Sequence, residues 1–350
     1  MSTSTDAAAP IVSVIITTFN RSALVVEAIE SVLAQNFRDF EIIVVNDGST
    51  DDTREVLAKY GDRIRCIHQA NAGLNAARNA AIDVARGEFF ALLDDDDLWE
   101  PGKLELCVAL ARHFPTAGFV FSNFNILRGK STITRDGLRT WHRNLRDFAE
   151  VFPVRHELSA GELGLAAPAR DRYIVYEGDV YAASMPAPWV LPAAGLVRIG
   201  RVPPGLRFNE ADPTCGDWEY FARLSHHAGC VFVDYDAAAN RSHEDAVRLT
   251  RLPKVVQLGR RVAMIERIWC ADSAFMAAHG ARTRSTLRGA LLALARAQLL
   301  ANDRAAARQS LARAVQLTGS GDRWLMLASS IPGAGLALRA LFQLRNRIFD

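Results

Sequence analysis

Four consecutive carboxylates, Asp94 to Asp97, stand between the apolar run Glu88-Phe-Phe-Ala-Leu-Leu93 and the segment Leu98-Trp99-Glu100-Pro101. Like charges gathered at the end of a buried strand repel one another unless a cation or helix amides neutralise them. Carboxylate oxygens are the natural donors for magnesium or manganese, which often take one or two of them beside phosphate oxygens. The run therefore reads as a metal-phosphate site. The competing reading is a solvated acidic turn that opens a helix near Pro101, where carboxylates cap the helix and complement its dipole.

The surrounding elements favour the first reading. Ile11-Val-Ser-Val-Ile-Ile16 is a β-branched run of the kind buried on both faces of a parallel sheet. A polar loop, Thr17 to Ser22, and a helix from Ala23 to Ala34 follow it. The same grammar repeats as strand Phe40 to Val45, loop Asn46 to Asp52 and helix Thr53 to Tyr60. A third strand, Ile64 to His68, leads through Asn71-Ala-Gly-Leu74 into a helix over Asn75 to Ala85, and a fourth covers Glu88 to Leu93. Alternating strands and helices predict an α/β fold with a mostly parallel central sheet and flanking helices. Ligands of such sheets bind beyond the carboxyl ends of the strands, where Thr17, Asp47 and the aspartates should converge.

Length suggests about two domains. The 41 basic and 39 acidic residues leave a formal charge of +2, which gives no reason to expect nucleic acid as a partner. Five scattered cysteines without a C-x-x-C pair indicate neither zinc nor a disulfide framework, so a cytoplasmic setting is the default. Residues 1–10 lack a basic and an apolar region and read as a disordered tail. No stretch reaches the roughly 18 apolar residues of a spanning helix, so any membrane contact would be peripheral.

Residues 125–185 are expected to form an irregular insertion with one or two helices. Val190 to Ile199 and Cys230 to Asp234 read as later strands. Asp217 to His226 has helical spacing, with Trp218, Phe221 and Leu224 on one face. From 251 to 350 an all-helical extension is expected, with helices over Pro253 to Ala278, Thr286 to Leu300 and Asp303 to Leu317 and a break at Gly280. The segment Trp324 to Phe349 mixes apolar residues with Arg339, Arg345 and Arg347. It would rest on an inner membrane leaflet, or pack on the rest of the chain or on a second copy in a homo-oligomer.

The runs VSVIITTFNR, FEIIVVNDGSTDDT, NAGLNAARNAA, GEFFALLDDDDLWEPGKLE and CGDWEYFARL resemble, in order, the motifs of the family 2 inverting glycosyltransferases, which have the type A fold. The resemblance covers roughly residues 11–250 and makes that span the catalytic domain, with 125–185 on its acceptor side. It implies transfer of a sugar from a nucleotide-diphosphate donor to a hydroxyl of a saccharide or lipid-linked saccharide, in polysaccharide or glycoconjugate synthesis, with Mn2+ or Mg2+ as cofactor.

By the same resemblance Thr17 and Asp47 hold the nucleobase, Asp95 contacts the ribose, and Asp96 is the principal metal ligand, with Asp94 completing a D-x-D. Arg78 reads as a diphosphate contact or as a surface arginine. Asp217 is the implied catalytic base and otherwise a helix cap. Gly216 stands where the family usually has a glutamate. Arg241-Ser-His243 resembles a late Arg-x-His element whose histidine approaches the metal or diphosphate, so His243 is either a ligand or a surface residue.

Two other function classes are weighed against this one. A dinucleotide oxidoreductase needs a glycine-rich turn after the first strand, and Thr17-Thr-Phe-Asn20 has no glycine. A non-catalytic nucleotide-sugar-binding or scaffold protein of the same fold finds some footing in Gly216, but the aspartates and Asp217 argue for turnover.

Overall fold

The computed structural model describes residues 9–128, 131–212, 214–242, 252–318, 326 and 330. The chain divides into two compact units, residues 1–246 and 247–350.

Among the described residues of the first unit, eleven strands form one sheet. Its parallel half contains β1 (Val12–Thr18), β2 (Phe40–Asn46), β3 (Arg65–His68) and β4 (Phe89–Asp94), in the order β3-β2-β1-β4. All seven residues of β1 are buried, as its β-branched run requires of a strand covered on both faces. The crossover helices are α1 (Ser22–Leu33), α2 (Thr53–Ala58) and α3 (Leu74–Val84). In α1 the buried residues Val25, Ala28, Ile29 and Val32 fall at spacings of three and four and form its core-facing stripe.

Beyond β4 the chain makes the two-residue strand β5 (Leu98–Trp99), helix α4 (Lys103–His113) and strand β6 (Phe119–Arg128). The stretch expected to be irregular between 125 and 185 is instead rich in strands. It holds the end of β6, β7 (Ser131–Thr134), α5 (Gly137–Trp141), β8 (Val154–Ser159), β9 (Arg172–Gly178) and α6 (Tyr181–Ser184). Strands β8 and β9 pair antiparallel from Val154 opposite Glu177 to Ser159 opposite Arg172. The β-branched and aromatic run Tyr173-Ile-Val-Tyr176 suits a strand, and the Gly/Ala/Pro-rich connection between the strands obscured the pairing.

The sheet closes with β10 (Gly195–Arg198), inserted antiparallel between β4 and β6, and with β11 (Cys230–Ser242), parallel to β6. Between them runs α7 (Gly216–Ala228), whose buried Tyr220, Phe221 and Leu224 pack on the main core. The late strand is much longer than Cys230 to Asp234, because its far half pairs with the end of β6 and with β5.

The second unit is helical over its described residues: α8 (Lys254–Ile265), α9 (Ser273–Leu300) and α10 (Arg304–Thr318). The helix expected from Pro253 to Ala278 ends instead in a wide turn over Glu266–Cys270, and Asp272 starts the next by accepting from the Phe275 amide. The interruption expected at Gly280 falls one residue earlier, at His279, whose non-helical φ of −125° kinks α9 into two helical segments. Asp303 caps α10 through the Ala306 amide at 3.0 Å, and Ala295, Leu299, Ala307 and Leu311 close the hairpin. Among the described residues no helix is long and apolar enough to cross a membrane. The arginine-bearing segment Trp324 to Phe349, apart from residues 326 and 330, lies outside the described residues, as does most of the expected N-terminal tail.

Candidate functional site

Strand register places the expected residues at one edge of the sheet. Thr17 pairs with Asp94 across β1 and β4, and Thr18 with Asn46 across β1 and β2. The Asp47 amide then donates to the Thr18 carbonyl at 3.0 Å. The loops after β1 and β2 are tied together. Asn20 donates its amide to Ser49 Oγ at 2.9 Å, and Thr50 donates its amide to Asn20 Oδ1 at 2.7 Å.

Asp47 is 4% exposed, and its carboxylate already has work within the chain. It accepts from Gln69 Nε2 at 2.7 Å and from the amides of Ala72 and Gly73, both at 2.9 Å. A carboxylate has about four lone-pair sites, so one direction is left for a ligand. Beside it Gly48 takes a φ of +80°, and a Cβ there would lie 2.7 Å from the Asn71 amide nitrogen. Only glycine allows the two loops to approach this closely.

The acidic turn does not stand alone. Arg21, in the first loop, donates from Nη1 to Asp95 at 2.8 Å and to Asp96 at 3.1 Å. Arg78 on α3 donates from Nη2 to Asp94 at 2.6 Å. Arg78 is 2% exposed, which removes the surface-arginine reading. Burial pushes the Asp95 carboxyl up to about 6, against the pull of Arg21 and with added repulsion from Asp96.

Asp97 belongs to a different arrangement. It is 1% exposed and accepts from Asn240 Nδ2 at 3.1 Å and from the Arg241 amide at 3.0 Å, so it fastens β11 to the acidic turn. Burial, with Asp94 and Asp96 nearby, raises its pKa well above the usual carboxylate range. Of the late Arg-x-His element, Arg241 is buried and pairs with Glu27. His243 lies outside the described residues.

Among the described residues no group of three or more His, Cys, Asp or Glu side chains is gathered closely enough to hold a metal ion alone. The donor chemistry of Asp94 and Asp96 nevertheless suits magnesium or manganese, which bind through one or two carboxylates when phosphate and water complete the shell.

Asp217 sits in the first turn of α7, where its Oδ1 accepts from the Trp218 amide at 2.9 Å. Burial raises its pKa, opposed by Arg78 and assisted by Asp94, so all three groups share one electrostatic neighbourhood. The Trp218 indole donates to the Ser184 carbonyl at 2.5 Å and is thereby fixed as a packing group. Trp99 is likewise held, donating to the Ala193 carbonyl at 2.6 Å.

Three residues of this region were not singled out by sequence. Arg21 carried one signal, its place in the loop immediately after a buried strand. Asn75 and the fully buried Lys103 carried none, because the carbonyls they donate to, of Asn209 and Asp212 and of Gly195, come from distant chain segments.

Residues 13–161 match the family described as glycosyl transferase family 2. A protein of Rickettsia felis named as an uncharacterized glycosyltransferase is 45% identical over 238 residues, which cover 67% of this chain and 35% of the relative. The chain spans about a third of the length of the first curated relatives it matches. Among solved structures, residues 1–349 of TarS from S. aureus in complex with UDP-GlcNAc superpose with a TM-score of 0.52 at 16% identity, covering 87% of this chain and 88% of that one. The mannosyltransferase PcManGT of Pyrobaculum calidifontis, in complex with GDP-Man and Mn2+, gives 0.51 at 17% identity, covering 95% of this chain and 86% of its own. At these identities the structures speak for the fold.

Proposed function

Because this chain carries a glycosyl transferase family 2 domain over residues 13–161, we propose that it is a metal-dependent inverting glycosyltransferase using a nucleotide-diphosphate sugar. The observation that carries the reading is the Arg78–Asp94 pair at the carboxyl ends of the parallel strands, and Asp217, whose pKa is influenced by both groups, is read as the proton acceptor. In the proposed reaction the acceptor oxygen attacks the anomeric carbon while the bond from that carbon to the diphosphate oxygen breaks. The hydroxyl proton passes to Asp217, and the nucleoside diphosphate leaves. One displacement inverts the anomeric centre and needs no enzyme nucleophile.

Thr17, Asp47 and Asp95 would hold the nucleoside, with Asp94 and Asp96 facing the metal. Manganese or magnesium, when bound, would neutralise the charge developing on the leaving diphosphate. Arg78 and Arg21 are placed to meet the phosphates with forked guanidinium donors. Support for a nucleotide-sugar donor and for a divalent cation comes from the similar folds of TarS with UDP-GlcNAc and PcManGT with GDP-Man and Mn2+. The acceptor is proposed as a saccharide hydroxyl.

Calorimetry with UDP, GDP and dTDP and their sugars, with and without Mn2+, on wild type and Asp96→Ala tests the reading. Metal-dependent binding of one nucleotide, lost in the variant, is expected. Absence of binding under every condition would return the chain to the scaffold class, and retained anomeric configuration in the product would exclude the single displacement.

A further inference from the structure

We infer that Asn75 is a positioning residue for Asp217, and that glycine at 216 is what makes room for it. The inference rests on the reading of Asp217 as the base. Asn75 is the second residue of α3 and is 2% exposed. Its Nδ2 donates to the carbonyls of Asn209 at 2.8 Å and Asp212 at 3.0 Å, both in the segment that leads into α7. A Cβ on Gly216 would lie 2.1 Å from that Nδ2 and 2.6 Å from Cγ and Oδ1. Any side chain at 216 therefore has to evict the amide, and with it both hydrogen bonds.

The orientation of this amide is determined. Turning it over would direct Oδ1 at two carbonyl oxygens, whereas now Oδ1 is buried without a hydrogen-bond partner and Nδ2 takes both acceptors. One turn further along α3, Asn79 treats the same segment likewise, donating to the Phe208 carbonyl at 2.9 Å and accepting from its amide at 3.0 Å. Between them Arg78 reaches Asp94 and lies 5.3 Å from the centre of the Phe208 ring. One helix face thus fixes both the acidic turn and the approach to Asp217, so the base and the diphosphate groups are set from a common support. The carboxylate absent at 216 leaves no gap, because the Asn75 amide fills the space. Reactions of this kind are sensitive to placement, a 1 Å error costing on the order of a hundredfold in rate.

The test is a double-mutant cycle on the full chain with Asn75→Ala, Gly216→Ala and both together. It is read by kcat and KM for the nucleotide sugar that turns over in the panel above, and by the 15N-indole resonance of Trp218, which neighbours the base. For Asn75→Ala a fall in kcat of about tenfold is expected, with donor KM unchanged within twofold and the Trp218 resonance displaced. The double variant is expected to match Asn75→Ala alone, since the methyl at 216 costs nothing once the amide is gone. Wild-type kcat and resonance in Asn75→Ala, or losses that multiply in the double variant, would overturn the inference. Should Gly216→Ala fail to fold, Asn75→Ala decides by itself. If the wild type turns over no nucleotide sugar, it is the reading of Asp217 that fails, and the Trp218 resonance still judges whether Asn75 holds the start of α7.

Discussion

Arg21 and Asp95, 74 residues apart in sequence, meet at 2.8 Å, and the same Nη1 reaches Asp96 at 3.1 Å. One guanidinium from the first loop therefore spans two carboxylates of the acidic turn. Arg78 takes a third, Asp94, from α3. The repulsion implied by four adjacent aspartates is met by two arginines from different elements and by the hydrogen bonds of Asp97.

Replacing Arg21 by Gln should destabilise the metal-free protein by about 1–3 kcal/mol, between the values for exposed and buried pairs. The effect should depend on pH with a defined sign. Asp95 titrates near 6 in the folded protein, so its contact with Arg21 is present above that pH and fades as pH falls through it. Urea unfolding of wild type and Arg21→Gln at pH 7.5 and pH 5 should give the larger difference at pH 7.5. An equal difference at both would show that Asp95 is not the partner that matters.

Asp96 and Asp97 are adjacent, yet their substitutions should separate. Asparagine at 97 keeps an oxygen for Asn240 and the Arg241 amide while removing a buried charge that burial, Asp94 and Asp96 already disfavour. Asp97→Asn should leave stability within about 1 kcal/mol of wild type and leave Mn2+ binding with nucleotide intact. Asp96→Asn should abolish that binding. Loss of Mn2+ binding in both variants would place Asp97 among the ligands.

The difference between these neighbours marks how far the sequence could be read. Periodicity and β-branched runs identified β1, β2, β4 and α1, because those elements bury continuous or regularly spaced apolar residues, whereas β3 buries none and α3 buries Asn75, Arg78 and Asn79 beside its alanines. The convergence of Thr17, Asp47 and Asp94 followed from parallel topology alone. The assignment of each carboxylate within the run did not, since Asp97 is set apart by Asn240 and Arg241, residues at the far end of the chain's first unit. Asn75 was silent for the same reason, its partners being Asn209 and Asp212. Strands β8 and β9 were missed because β8, Val154-Arg-His-Glu-Leu-Ser159, has no regular apolar pattern and both flank a composition that suggests a loop.

For Asp217 the expected signature is kinetic. Burial raises its pKa, so the carboxylate form needed to accept a proton appears only above the ordinary carboxylate range. The pH profile of kcat should rise with an acidic limb displaced upward from that range and level off once the group is ionised. Asp217→Asn should lower kcat by roughly a hundredfold to ten-thousandfold and leave nucleotide binding unchanged. A full rate in the asparagine variant would move the base elsewhere.

Lys103 supplies a test of the scaffold beneath the site. Its ammonium is fully buried, donates to the Gly195 carbonyl at 3.0 Å and lies 3.9 Å from the centre of the Trp99 ring. It therefore joins the turn after the acidic run to β10. Burial lowers its pKa from 10.5 to about 8. Below pH 8 the amine is protonated in both folded and unfolded states and contributes no slope. Between 8 and 10.5 the unfolded chain binds the proton and the folded one does not, so stability rises with pH by on the order of 3 kcal/mol. Above that range the contribution is constant. Lys103→Met lacks the titrating group, so the stability of wild type relative to this variant should climb across the same window. A difference that stays flat from pH 7 to 10.5 would mean that the buried amine keeps its ordinary affinity for the proton, and that Gly195 and Trp99 compensate it fully.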